Sequence, residues 1–124
     1  MMTQQHTVIP HIAYYFRAPR DIQNGLMGVR HMAVDSVALF DMGKTDDYRF
    51  YMKSTVIPLD IIFIGDDGIV VGVLENMQPL DTTSKCVGKP SRYVIEANAG
   101  YAARNLVVPG VTRIAVPGVP YIES

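Results

Sequence analysis

Hydrophobic positions in this chain come in short blocks, most of them too short for a long helix and punctuated by Gly and Pro. VIPHIAYYF (8–16) is rich in β-branched and aromatic side chains and predicts a strand, with Pro10 marking a sheet edge. APRDIQNG (18–25) predicts a short helix, because Pro19 suits its first turn and Gly25 its C-cap. SVALF (36–40) reads as a strand and GKTDD (43–47) as a loop. In YRFYMK (48–53), Tyr48, Phe50 and Met52 alternate with Arg49, Tyr51 and Lys53, the period-2 pattern of a strand. Pro58 breaks that run before LDIIFI (59–64), and the turn signal GDDG (65–68) returns IVVGVLE (69–75) as the second arm of a hairpin. After a polar loop at 77–90, RYVIEA (92–97) predicts a strand and NAGYAARNL (98–106) a second short helix with Asn98 as its N-cap. VTRIAV (111–116) predicts the last strand. These elements describe a mainly β protein, an antiparallel β-sandwich or barrel with two short helices.

Composition narrows the possibilities. A length of 124 residues suits one domain spanning 1–124, with extended, Pro-punctuated segments at about 1–10 and 117–124. Apolar residues make up 48% and charged residues only 19%, and there are seven Met. Both features fit either a dense core or a surface covered by a partner. The two apolar ends suit a protein partner or self-association, by lying along a neighbour or adding to its sheet edge. A net charge of −1 without runs of like charge argues against a nucleic-acid partner. The longest apolar runs are far too short to span a membrane, and MMTQQHTVIP does not read as a signal peptide, so the expected location is the cytoplasm or a virion. Cys86 is the single cysteine, which excludes an internal disulfide and a Cys-based zinc site.

The candidate chemistry centres on polar residues inside apolar blocks. In LDIIFI, Leu59, Ile61 and Phe63 share one face, and Asp60, Ile62 and Ile64 the other, so both faces are apolar and the strand is expected to be covered twice. Asp60 then needs a partner for its carboxylate. Lys53, Ser54 and Thr55 lie close by across the Pro58 bend, and the cluster reads as a structural polar latch or a ligand site. Glu96 shares a face with Val94 and Asn98 in another apolar strand, and Asp60 with Glu96 is a candidate carboxylate pair for acid–base work, against capping or salt-bridge roles. Asp66 and Asp67 read as turn residues. His6, His11 and His31 lack zinc spacing, and no nucleophile, phosphate-loop or dinucleotide motif is present. No catalytic residue, metal or cofactor is therefore expected.

YMKSTVIPLDIIFIGDDG resembles the signature of the family known as domain of unknown function 192, Trp-Met-Lys-Asn-Thr-x-Ile-Pro-Leu-Asp followed by an apolar strand and an Asp/Gly turn. Met52, Lys53, Thr55, Ile57, Pro58, Leu59 and Asp60 match; Tyr51 stands for the Trp and Ser54 for the Asn. GLM (25–27) with Arg30, and RYVIEANAGYAARNLVVPG (92–110), are similar to two further blocks of that family, with Val111 where an Asp is usual. The resemblance implies a jelly-roll-type β-sandwich and no activity, and its departures suggest a divergent, intracellular or phage-borne branch. Together these features predict a non-enzymatic structural or binding module in a protein assembly, such as a capsid decoration protein. The alternative is a small-molecule, carbohydrate-type binding or processing module.

Overall fold

A computed structural model describes residues 6–119 and Ile122. Its elements are β1 (His6–Val8), β2 (His11–Phe16), α1 (Pro19–Asn24), β3 (Ser36–Asp46), β4 (Leu59–Ile64), β5 (Val70–Met77), β6 (Ser91–Asn98), α2 (Tyr101–Arg104) and β7 (Thr112–Ile114). Five strands form one sheet in the order β2-β3-β6-β4-β5, and β1 pairs with β7 in a separate ribbon. The fold is mainly β, as expected, but its sheets are mixed and not closed. Pairings β3–β6, β6–β4 and β4–β5 are antiparallel, whereas β2–β3 and β1–β7 are parallel.

The central sheet is apolar on both faces, and each face carries its own core. Val37, Leu39, Ile62, Ile64, Tyr93 and Ile95 pack under the β1–β7 ribbon and α2. Ala38, Phe40, Leu59, Ile61, Phe63 and Val94 pack under Leu26, Met32 and Met52 from the connecting segments. This double coverage explains why all six residues of β4 are buried. The described residues contain no helix long and apolar enough to cross a membrane.

Four sequence expectations need correction. Ile9 and Pro10 divide the predicted 8–16 strand into β1 and β2, which belong to different sheets. The predicted 43–47 loop is the distal half of β3, which continues to Asp46 across a register shift between Asp41 and Asp46. Gly43 takes φ +83° there and donates its N–H to Asp41 Oδ1, the geometry of a bulge rather than a loop. The 48–53 segment is not a strand: Phe50 makes a single bridge to Lys85, with 2.8 Å hydrogen bonds both ways. Its alternation reports burial, since Tyr48, Phe50 and Met52 pack into the core face without a ladder beside them. Finally, α2 begins after Gly100, and Asn98 is the last residue of β6 rather than a helix cap.

The described parts of both terminal segments pack on the chain itself. Val8 pairs with Ile114, while Val119 and Ile122 are buried in the core under the ribbon. Residues 1–5, 120, 121, 123 and 124 of those predicted segments lie outside the described residues.

Candidate functional site

The sheet register separates the two carboxylates that the sequence paired. Asp60 lies opposite Ala97, and Ile61 lies opposite Glu96. Directly opposed residues of antiparallel strands share a face, and neighbours along a strand do not, so Asp60 and Glu96 project from opposite sides of the sheet. They form no acid–base pair.

Asp60 turns toward α2 and is consumed by backbone donors. Its Oδ2 accepts N–H bonds from Gly100 at 3.1 Å and Ala102 at 2.9 Å, and its Oδ1 accepts from Asn76 at 2.9 Å. Asn76 sits at φ +53° beside a register shift between β4 and β5, so one carboxylate fastens the bulge and closes the first turn of α2. Lys53, Ser54 and Thr55 supply none of these contacts. Asp60→Asn should lower stability by roughly 1–3 kcal/mol in urea unfolding, the cost of weakened buried hydrogen bonds to a charged acceptor. Unchanged stability would show that the bulge and α2 hold without it.

Lys53 and Ser54 form an exposed turn closed by the Thr55 N–H on Met52 O at 3.1 Å. Ser54 takes φ +55°, a conformation that suits the Asn of the resembling signature better than Ser. Asn98 Nδ2 donates to Met32 O at 2.7 Å and Ala33 O at 3.3 Å, tying the segment before β3 to the sheet. Lys53, Ser54, Asp60 and Asn98 thus do not form one site with Glu96. Thr55 does.

Glu96 lies on β6, the middle strand of the five, opposite the small Ala38 on one side and Ile61 on the other. It is only 5% exposed, and no hydrogen bond or ion pair from a described residue reaches its carboxyl. Burial pushes its pKa up to about 8. The group opens onto a cavity of about 220 Å³ beneath the end of α1. Phe40, Phe50 and the exposed Tyr51 wall it, and Thr55 and Leu26 border it. Phe40 and Phe50 belong to a run of ring contacts from Tyr14 through Phe16 to Phe63, with centroids 5.2–5.7 Å apart, which makes this wall stiff.

Gly25 holds the opening. Its N–H caps α1 on Asp21 O at 2.8 Å, and its φ of +48° with ψ of −129° is a conformation open to glycine. A Cβ there would lie 3.2 Å from the Phe40 ring and 3.5 Å from Glu96 Oε1, over the carboxyl itself. Gly25, Tyr51, Thr55 and Glu96 come from the three sequence blocks that carry the resemblance, and all border this one cavity. Sequence reasoning missed Gly25, Phe40 and Phe50 as site residues, since each reads locally as a cap or as core, and met Tyr51 only as the stand-in for the signature Trp.

The domain of unknown function 192 family, described as "Uncharacterized ACR", matches residues 3–114, and the chain belongs to that family. It is similar to a crystal structure of a Sinorhizobium meliloti protein provisionally described as a transcription regulator, at 38% identity and a TM-score of 0.75, covering 77% of this chain and 74% of that one. It is also similar to a Novosphingobium aromaticivorans protein of unknown function, at 35% identity and a TM-score of 0.74, covering 77% and 69% of the two chains. No curated protein matches the chain.

Proposed function

We propose that this chain is a non-enzymatic small-molecule-binding module whose recognition group is Glu96. The observation that carries this reading is a 5% exposed carboxyl without a partner among the described residues, facing a cavity of about 220 Å³ in the middle of the sheet. Burying such a group is unfavourable, and a perturbed acid in a cleft is where a ligand-recognising residue is expected. Binding is favoured over acid–base chemistry because Asp60, the other buried carboxylate among the described residues, faces the opposite side. An apolar cavity of about 150 Å³ takes benzene, so this one suits a molecule of about nine non-hydrogen atoms rather than an oligosaccharide. A ligand-sensing role would also accord with the regulatory description of the Sinorhizobium neighbour.

Titration of the labelled protein with cationic, neutral and anionic fragments of that size, followed by amide NMR, tests the proposal. At least one class should shift the amides of Gly25, Leu26, Thr55 and Glu96 saturably, and Glu96→Gln should weaken it at least tenfold. If no class moves those amides, the proposal fails.

An assembly role retains one specific support. β2 is one of the two edge strands of its sheet, and Tyr14 and Tyr15 on it are exposed, an edge to which a partner strand could add. On this reading a partner strand would add at β2 rather than at the chain ends.

A further inference from the structure

The chemistry of the cavity wall discriminates among ligand classes. Its acceptors are open. Glu96 has no partner among the described residues, and Thr55 Oγ1 uses its proton on Lys53 O at 3.2 Å, leaving its lone pairs available. Its cation is engaged: Arg49, on the same wall, directs Nε to Ser84 Oγ at 2.9 Å, Nη2 to Ser84 O at 2.9 Å and Nη1 to Cys86 Sγ at 3.2 Å. Tyr51 is the remaining titratable group on the lining. Three aromatic rings, Phe40, Phe50 and Tyr51, complete the enclosure. An anionic ligand would meet a buried acid, and the one cation on the lining, Arg49, is held by its hydrogen bonds on Ser84 and Cys86. A cation finds a carboxylate in a low-dielectric setting, further acceptor lone pairs and aromatic faces, the combination that selects organic ammonium ions.

Resting on the binding role assigned to Glu96 above, we infer that the ligand is a small organic ammonium ion, its charged head on Glu96 and its apolar body between Phe40, Phe50 and Tyr51. At neutral pH the empty site holds Glu96 protonated. The arriving ammonium keeps its own proton, the carboxyl proton leaves to solvent, and a carboxylate–ammonium pair forms. Binding therefore releases close to one proton at pH 7, and affinity rises about tenfold per pH unit between pH 6 and 7.5.

The probes are 2-phenylethylammonium chloride, its neutral counterpart 2-phenylethanol and the anion phenylacetate, titrated calorimetrically at pH 7 in phosphate and in HEPES. The ammonium should bind at least tenfold more tightly than either of the others, with a buffer-dependent heat reporting close to one proton released. Glu96→Gln, confirmed folded by circular dichroism, should lose that preference and the proton release. The wild-type preference among the three probes keeps the test intact even if the variant does not fold. If 2-phenylethanol or phenylacetate binds the cavity as tightly as the ammonium, the ammonium assignment is overturned while the binding role survives. If none of the three perturbs the cavity amides, the ammonium assignment falls, and the broader fragment titration decides the binding role separately.

Discussion

Glu96→Gln should be more stable than the parent chain at pH 9, and the gap should close as the pH falls to 4. The group's pKa rises from 4.5 in the unfolded reference to about 8 in the fold. Below pH 4.5 both states carry the proton, so the stability associated with the neutral buried carboxyl is fully present. Between pH 4.5 and 8 the unfolded chain ionises while the folded chain does not, and stability falls by about 1.4 kcal/mol per unit. Above pH 8 the folded carboxyl also ionises and the loss levels off, at a total of roughly 4–5 kcal/mol. Gln adds a buried amide of its own, which trims the gain without giving it a pH dependence. Urea unfolding of both chains at pH 4, 7 and 9 isolates the effect, because every other titrating group is common to both. Parallel profiles would mean that Glu96 has a charge-stabilising partner in the folded state, which would remove the basis of the binding proposal as well.

A carboxyl that weakens its own fold at neutral pH, when the Val or Ile of its neighbours would stabilise it, is the local inconsistency that function tends to leave behind. Asp60 shows the opposite pattern. It is 1% exposed, yet three backbone N–H groups satisfy it, and its removal should cost stability rather than add to it. The two residues look alike in sequence, each an acid within an apolar strand, and their environments assign them different roles.

Much of the fold was legible locally. LDIIFI announced a strand covered on both faces because neither parity class is polar, and GDDG announced the hairpin because it combines two Asp with two Gly. The faces of Asp60 and Glu96 were not legible, for a physical reason. Alternation sorts residues within one strand, but which class shares a side with which depends on the β4–β6 register, set by pairings between residues 29 to 39 apart. The parallel β2–β3 and β1–β7 pairs are long-range in the same way. Alternation at 48–53 misled because a buried extended segment without a ladder produces the same period as a strand. The cavity was least visible of all, since Gly25, Thr55 and Glu96 meet only when the end of α1, the 49–55 segment and the middle strand converge.

Removing residues 117–124 should destabilise the domain by roughly 3–6 kcal/mol. Sequence reasoning expected this tail to reach a partner, in which case its loss would weaken association and leave the fold intact. Val119 is instead 5% exposed and Ile122 fully buried, in the same core as Ile114 and Val116. Burial of an aliphatic side chain of this size contributes about 1.5–3 kcal/mol, which gives the range for the pair. Backbone bonds reinforce the turn: Val116 donates to Ile122 O, Val119 to Val116 O at 3.1 Å and Ile122 to Val119 O at 3.3 Å. Ile122 also packs against the β4–β5 hairpin, where a Cβ on Gly68 would come within 3.3 Å of its Cγ2. The effect should therefore reach β4 and β5, and amide exchange there should accelerate together with that of β7 rather than at the tail alone. Thermal unfolding of the truncated chain beside the full chain, with light scattering on both, separates the two accounts. A lower Tm at unchanged mass supports the tail as core. An unchanged Tm with reduced mass would return it to the role of a contact arm and leave the β2 edge without its claim to the interface.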